Sequence, residues 1–416
     1  MKASIRVVVI GGGVIGAAAA LELARGGRFE VSVIERLPQI AAGSTAASTA
    51  VIRQFYRSGE SIKLARSGLH VWRDWRGWLG RFAPAPPLAE FCGAGALWIF
   101  PETSRAKEMP HIQECMRLGV QLELLTQERM RERFPAFHFL DEPRVFGILE
   151  TEAGYVDMPS LAARNMMGAA LATGNARLYL NAQAVDFPDN GVVIDQNGER
   201  KTIQADAVLN AAGPHSYLVN ALAGCPLPLT TAPNRQQFID ARETAALARH
   251  PDTPLCVDLL NGFYMKPDSR RFRVGAILPK DERDFAPDPD RFDARLSDAF
   301  AEEKTRALRR RMPEARLEEA GGGAALYDVT VADWKPVIDK MDREGYFAAV
   351  GTSGAWFKGA PVIGRLTERL MSANLLGGID TDAAPLTVPL PYTGQELDMR
   401  AFSRRRSPGP EGGVIG

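Results

Sequence analysis

Three sets of residues in this chain have the types and spacing that chemistry needs. The first is Gly11-x-Gly13-x-x-Gly16, directly after the apolar run Val7–Ile10 and followed by the acid Glu35. Gly11 suits a tight turn, Gly13 lets the backbone approach a pyrophosphate, and Gly16 lets helix and strand pack closely. The pyrophosphate would rest on free N–H groups where the helix begins, around Val14 and Ile15. Glu35 is placed to accept hydrogen bonds from an adenosine ribose, and it would repel the 2′-phosphate of NADP. These residues leave FAD and NAD open. The second set is Arg53 within Val51-Ile52-Arg53-Gln54-Phe55-Tyr56, one cation among apolar and aromatic neighbours. It reads equally as a surface arginine or as a functional cation. The third is Gly351 to Lys358, a glycine-bounded loop ahead of a helix that Pro361 is well placed to start.

The elements that must position these residues follow from periodicity and punctuation. Arg6–Ile10 reads as a strand, Ala17–Arg25 as a helix and Val31–Ile34 as a second strand, the context a dinucleotide fingerprint requires. Ala41–Ala50 is a run of small residues that lets backbone lie against a flat ligand. Ile62, Ala65, Leu69 and Trp72 recur at helical spacing. Pro84, Pro86 and Pro87 mark a crossing between domains. A strand over Gly95–Phe100, a charged helix over Thr126–Arg133, a strand over Gly147–Thr151 and a helix over Leu161–Ala172 come next. Leu178–Asn210 reads as a β-meander with turns at Asp189-Asn190-Gly191 and Asn197-Gly198, running into Ala211, Ala212 and Gly213. Pro228–Ala276 reads as sheet, Pro279–Pro289 as a surface loop, and Arg291–Met312 as a long helix whose Arg309, Arg310 and Arg311 form a solvated face. Tyr346–Val350 is a strand, Pro361–Ala373 a helix, and the tail, residues 401–416, is expected to be disordered.

Bulk properties set limits. The chain has 416 residues, so two domains or one elaborated domain are expected. Lys plus Arg equals Asp plus Glu, 50 each, and no global field points to nucleic acid or an anionic membrane. Cys92, Cys115, Cys225 and Cys256 are scattered without a CxxC pair, as in a reducing compartment, and the histidines show no metal spacing. No leader pattern and no apolar run of membrane-spanning length is seen, and a soluble, cytoplasmic protein is expected.

Taken together, the chain resembles the FAD-dependent oxidoreductases of the D-amino-acid oxidase superfamily, in particular the sarcosine oxidase and glycine oxidase branch. The resemblance runs over nearly the whole length. It rests on the fingerprint with Glu35, Val51-Ile52-Arg53-Gln54-x-Tyr56, Gly154-Tyr155-Val156-Asp157 and Asn210-Ala211-Ala212-Gly213-Pro214. Leu326-Tyr327-Asp328 with Pro336-Val337-Ile338, and Gly351-x-Ser353-Gly354-x-x-Phe357-Lys358-x-Ala360-Pro361-x-x-Gly364, complete it.

The resemblance implies FAD and a mixed α/β fold, with a Rossmann-like FAD domain interleaved with a substrate domain on a mostly antiparallel sheet. It places the FAD domain in residues 1–90, 145–225 and 320–400, and the substrate domain in 91–144 and 226–319. Cofactor contacts fall on Gly11, Gly13, Val14, Ile15, Gly16, Glu35, Arg36, Gly43, Ser44, Ser48, Thr49, Ala184, Ala212, Gly213, Gly354, Phe357 and Lys358. Arg53 and Lys358, with Tyr56, are the residues implied to hold a substrate carboxylate over the flavin. Arg273 matches a lysine that assists the reaction of oxygen with reduced flavin, although arginine offers its charge as a wider fork. Ala325 replaces a cysteine that links flavin covalently, which implies non-covalent FAD. Ala355-Trp356 replaces a His-Gly pair, and a bulky indole beside the flavin is expected to reshape the pocket. The activity implied is oxidation of an amino acid or N-alkyl amino acid, with O2 or another electron acceptor and the option of an oligomer. Two alternatives are a 2-hydroxy-acid dehydrogenase and an FAD-binding subunit whose flavin is not catalytic.

Overall fold

The computed structural model describes residues 4–243, 246–268 and 271–409. Its centre is a six-stranded sheet ordered Val337–Lys340, Tyr346–Val350, Ala207–Asn210, Ile5–Ile10, Phe29–Ile34, Ala176–Tyr179. All neighbours are parallel except the edge strand Val337–Lys340. The inner strands are nearly continuous apolar runs because both faces are covered. On one face the helix Val14–Arg25 packs between Pro159–Ala172 and Ala360–Leu375. Its Ala17, Ala18, Ala19 and Ala20 are fully buried, and their small side chains let three helices approach one another.

A second, eight-stranded sheet runs Leu317–Thr330, Thr231–Glu243, Arg271–Ala276, Phe263–Asp268, Leu255–Asp258, Ala96–Pro101, Val145–Glu150, Leu122–Leu125. It is antiparallel but for the pair Leu255–Asp258 and Ala96–Pro101. Two strands assigned by sequence to the FAD domain belong here. Val145–Glu150 pairs with Ala96–Pro101, and Leu317–Thr330 pairs along its length with Thr231–Glu243.

Other expectations need correction. The meander splits: Ala182–Asp186, Gly191–Gln196 and Glu199–Gln204 form their own antiparallel sheet, while Ala176–Tyr179 and Ala207–Asn210 join the central parallel sheet. The helix expected from Arg291 begins at Asp298, where the Ser297 hydroxyl accepts a hydrogen bond from the Phe300 N–H. Arg309 and Arg310 are exposed, but Arg311 is buried and donates to Asp258 Oδ2 at 2.8 Å.

The tail is packed at its start. Arg404, only 1% exposed, donates to Asp339 (3.2 Å), Asp382 (2.8 Å) and Asp342 (2.8 Å), and Arg406 pairs with buried Asp333 (2.7 Å). Such multidentate guanidinium pairing fixes the start of the tail in one geometry, because removing a partner would leave buried charge uncompensated. Residues 410–416 lie outside the described residues. Arg404→Ala leaves buried Asp339 without its cation and Asp382 with only the longer contacts to Lys340 and Arg405 (3.4 Å each), so unfolding stability is expected to fall by about 3 kcal/mol. A denaturant midpoint equal to wild type would contradict this.

Candidate active site

The fingerprint turn is built by sterics. Gly11 has φ +110°, and a Cβ there would lie 2.4 Å from the Ala211 carbonyl oxygen. A Cβ on Gly16 would lie 1.9 Å from the Gly11 carbonyl oxygen, so the helix can cross the turn only with glycine. Glu35 secures the loop: its carboxylate accepts from the Gly12 N–H (2.8 Å) and the Leu37 N–H (2.9 Å). Thr45, which the sequence did not single out, accepts from the Val14 N–H through Oγ1 at 3.1 Å.

A groove starts at this turn. Gly11, Gly13, Val14, Ile15, Glu35 and Arg36 line one end, with Gly43, Ser44, Ser48, Ala212 and Gly213 further along. At its far end it shares Ser48, Tyr327, Gly354 and Phe357 with a second cavity. Thr49 lines that second cavity and not the groove. Gly16 sits behind the turn, and Ala184 lies in the strand Ala182–Asp186 away from the groove lining. The Arg36 guanidinium pairs with Asp290 at 2.6 Å, and His215 Nε2 reaches the same carboxylate at 3.0 Å.

The second cavity holds the cations. Arg53 and Lys358 line it together with Trp98, Tyr264, Leu255 and Met265. Both cations are buried, at 5% and 3% exposure, which decides the question about Arg53 against a surface residue. The Arg53 guanidinium lies 4.0 Å from the Tyr56 ring centroid and 5.3 Å from that of Trp98, while Lys358 Nζ lies 5.7 Å from the Tyr56 centroid. Tyr56 is therefore a backing residue rather than a wall: it is absent from the cavity lining, and its hydroxyl accepts from Lys358 Nζ at 3.2 Å. Burial pushes the Tyr56 phenol up to about 12.

Burial, with Arg53 adding repulsion, holds the Lys358 ammonium well below its ordinary range. Buried Glu150 works against this, and burial in turn raises the Glu150 carboxyl. The Glu150 carboxylate accepts from the backbone N–H groups of Gln54 and Phe55, fixing the segment that carries Arg53. The Lys358 carbonyl accepts from Trp72 Nε1 at 2.8 Å, which fixes the other cation's backbone.

Two residues stand elsewhere than expected. Trp356 does not enter the cavity; it stacks on Tyr56 with centroids 4.8 Å apart, and Ala355 provides the wall instead. Ser353, Gly354, Ala355, Phe357 and Lys358 line the cavity while the Trp356 indole, 2% exposed, supports Tyr56 from behind. Arg273 does not line this cavity either. Its guanidinium makes two hydrogen bonds to Asp240 (2.7 and 2.6 Å) and one to the Ala47 carbonyl (2.7 Å). It lines a neighbouring polar cavity that shares Gln236, Tyr264, Ala276 and Tyr327 with the first. Among the described residues no cluster of His, Cys, Asp or Glu could hold a metal, and no helix is long and apolar enough to cross a membrane.

A glycine-turn nucleotide groove opening into a cavity with paired cations defines a nucleotide-dependent enzyme of the doubly wound class. Comparison with known proteins then settles the family: the model of the FAD dependent oxidoreductase family (DAO) matches residues 6–370, and the chain belongs to it. FAD is thus the cofactor, and the groove fits it, from the fingerprint turn and Glu35 to the small residues at its middle. The chain is 24% identical over 276 residues to a 4-methylaminobutanoate oxidase (formaldehyde-forming) of Paenarthrobacter nicotinovorans, covering 66% of this chain and 32% of that protein. It thus spans about a third of the length of that relative. Among solved structures it is similar to an L-proline dehydrogenase from P. horikoshii (TM-score 0.76, 21% identity, 97% of this chain and 98% of that one). It is also similar to a glycine oxidase from Geobacillus kaustophilus (TM-score 0.74, 21% identity, 98% of this chain and 100% of that one). These likenesses bear out the mixed α/β fold.

Proposed function

We propose that this protein oxidises the C–N bond of an amino acid or N-alkyl amino acid, giving an imine that water hydrolyses. The observation that carries the reading is the convergence of Arg53 and Lys358 on one apolar cavity that opens into the FAD groove. Arg53 and Lys358 face the cavity with Glu150 buried behind them, so one substrate carboxylate can engage both, which fixes the substrate α-carbon relative to the flavin end of the groove. FAD, when bound, supplies the hydride acceptor. Val51, Trp98, Leu255, Val257 and Ile277 form an apolar part of the remaining wall, which suits an aliphatic or N-alkyl substituent, beside polar Ser48, Thr49, Gln236 and Ser353. Ala325 lines the groove without a nucleophile, which supports non-covalent FAD. The commitment of Arg273 to Asp240 leaves O2 one acceptor among others, since this cation does not face the cavity. The unpaired state of Cys92, Cys115, Cys225 and Cys256 accords with a cytoplasmic setting.

The test is an anaerobic titration of the FAD-loaded protein with D-, L- and N-methyl amino acids, using 2-hydroxy acids as the comparison. Bleaching of flavin absorbance by a member of the amino panel is expected. Bleaching by hydroxy acids alone would replace the reading with a hydroxy-acid dehydrogenase, and bleaching only by dithionite would make the flavin non-catalytic. The rate at which colour returns in air separates oxidase from dehydrogenase.

A further inference from the structure

The loop between the strand Arg271–Ala276 and the helix Asp298–Arg311 grows out of the eight-stranded sheet, yet it reaches the cofactor groove. Its two ends are pinned to that sheet. The Ala286 N–H donates to the Pro233 carbonyl at 2.9 Å, and the Ala294 carbonyl accepts from the Ala324 N–H at 2.8 Å. The Arg235 guanidinium holds the second end further, donating to the Asp293 carbonyl at 2.6 Å and the Arg295 carbonyl at 2.7 Å. Between these anchors, Pro289 and Phe292 line the groove. A segment of the substrate-side sheet therefore supplies part of the wall of the FAD site.

Asp290 fastens the middle of this loop to the other side of the groove. Its Oδ1 accepts from Arg36 Nη1 at 2.6 Å and from His215 Nε2 at 3.0 Å. Arg36 follows the strand Phe29–Ile34 and His215 follows Ala207–Asn210, so both stand beyond the carboxyl ends of parallel strands, where such sheets take their ligands. The Tyr217 hydroxyl adds a longer bond to the Pro287 carbonyl, at 3.4 Å. The fastening is polar and reachable by water: the side chains of Arg36 and Asp290 are 37% and 52% exposed, so each bond contributes little and can part without unfolding the core. Its place along the groove is set by Glu35 and Arg36, at the end the fingerprint gives to the adenosine ribose, while Tyr327 and Gly354 mark the flavin end. We propose that residues 286–294 form a strap over the adenosine half of bound FAD, latched by Asp290, and that cofactor release requires the contacts of Asp290 with Arg36 and His215 to part. The proposal rests on FAD as the cofactor and not on the substrate proposed above, and its test is read without turnover.

The experiment follows release of FAD from the diluted holoenzyme by the rise in flavin fluorescence. Asp290→Ala is expected to release FAD about 3- to 10-fold faster than wild type, the range of two charge-assisted hydrogen bonds that are partly exposed. In an Arg36→Ala/His215→Ala background, which already lacks the latch, adding Asp290→Ala is expected to change the rate no further. A second readout is cleavage by trypsin after Arg291, whose side chain is 88% exposed. FAD is expected to slow this cut in wild type, and to protect the strap about 3- to 10-fold less in Asp290→Ala, because cleavage tracks the open population. Release from Asp290→Ala at or below the wild-type rate would overturn the proposal, as would a wild-type protein cut after Arg291 equally fast with and without FAD. An undiminished effect of Asp290→Ala in the background lacking Arg36 and His215 would overturn the latch.

Discussion

Lys358→Met is expected to reduce kcat/KM by about 30- to 4,000-fold while leaving the protein yellow and folded. The range corresponds to the roughly 2–5 kcal/mol lost when one member of a buried charge pair is truncated. The same substitution separates binding from stability. Burial holds the Lys358 ammonium well below its ordinary range, so the native protein gives up this proton at a lower pH than the unfolded chain does. Wild type therefore loses stability as pH falls from about 10.5 towards the depressed folded value, and the Met variant does not. A melting temperature at pH 7 equal to or above that of wild type is expected. A carboxylate ligand favours the ammonium form, so binding of an inert carboxylate takes up a proton and weakens as pH rises; in Lys358→Met that slope flattens. Calorimetry in buffers of different ionisation enthalpy reads the proton uptake directly, and its absence in wild type would refute the account.

Gly16→Ala is expected to yield colourless protein. Its Cβ would sit 1.9 Å from the Gly11 carbonyl oxygen, so the helix Val14–Arg25 must back away from the turn or the turn must open. Strain of about 1–3 kcal/mol from such overpacking, taken from cofactor binding, weakens FAD by up to about 100-fold. Gly321→Ala serves as the comparison, because a Cβ there meets nothing within 4 Å. Equal flavin affinity of the Gly16→Ala protein and wild type in a fluorescence titration would contradict the steric argument.

What the sequence shows and what it hides follows from the range of the interactions involved. The fingerprint was legible because its constraints are local: a strand, a turn, a helix and an acid contiguous in the chain. The strand Tyr346–Val350 and helix Ala360–Leu375 were legible from patterning for the same reason. Arg311 looked like part of an exposed basic face because its partner, Asp258, lies in another strand and only tertiary packing joins them. The tail was misread in the same way, since nothing near Arg404 announces Asp339, Asp342 and Asp382. Family likeness brought Arg53 and Lys358 together before the fold did, but it did not show that Trp356 turns behind Tyr56. Glu150 carried no local signal, because what marks it is burial and the backbone N–H groups it accepts from, and Asp328 was legible only as part of a motif, with no role attached.

The hydrogen bond between Lys358 and Tyr56 joins positions 302 residues apart, and the central sheet takes its strand Tyr346–Val350 from the same late part of the chain. Such separation has a meaning in time. At a synthesis rate of about 5–20 residues per second, the fingerprint leaves the ribosome well before the strand that completes its sheet and the lysine that completes its anion site. Contacts of such long range form only after the intervening loops have closed. The cofactor groove draws its lining from Gly11 through to Phe357, so it is complete only when nearly the whole chain has been made.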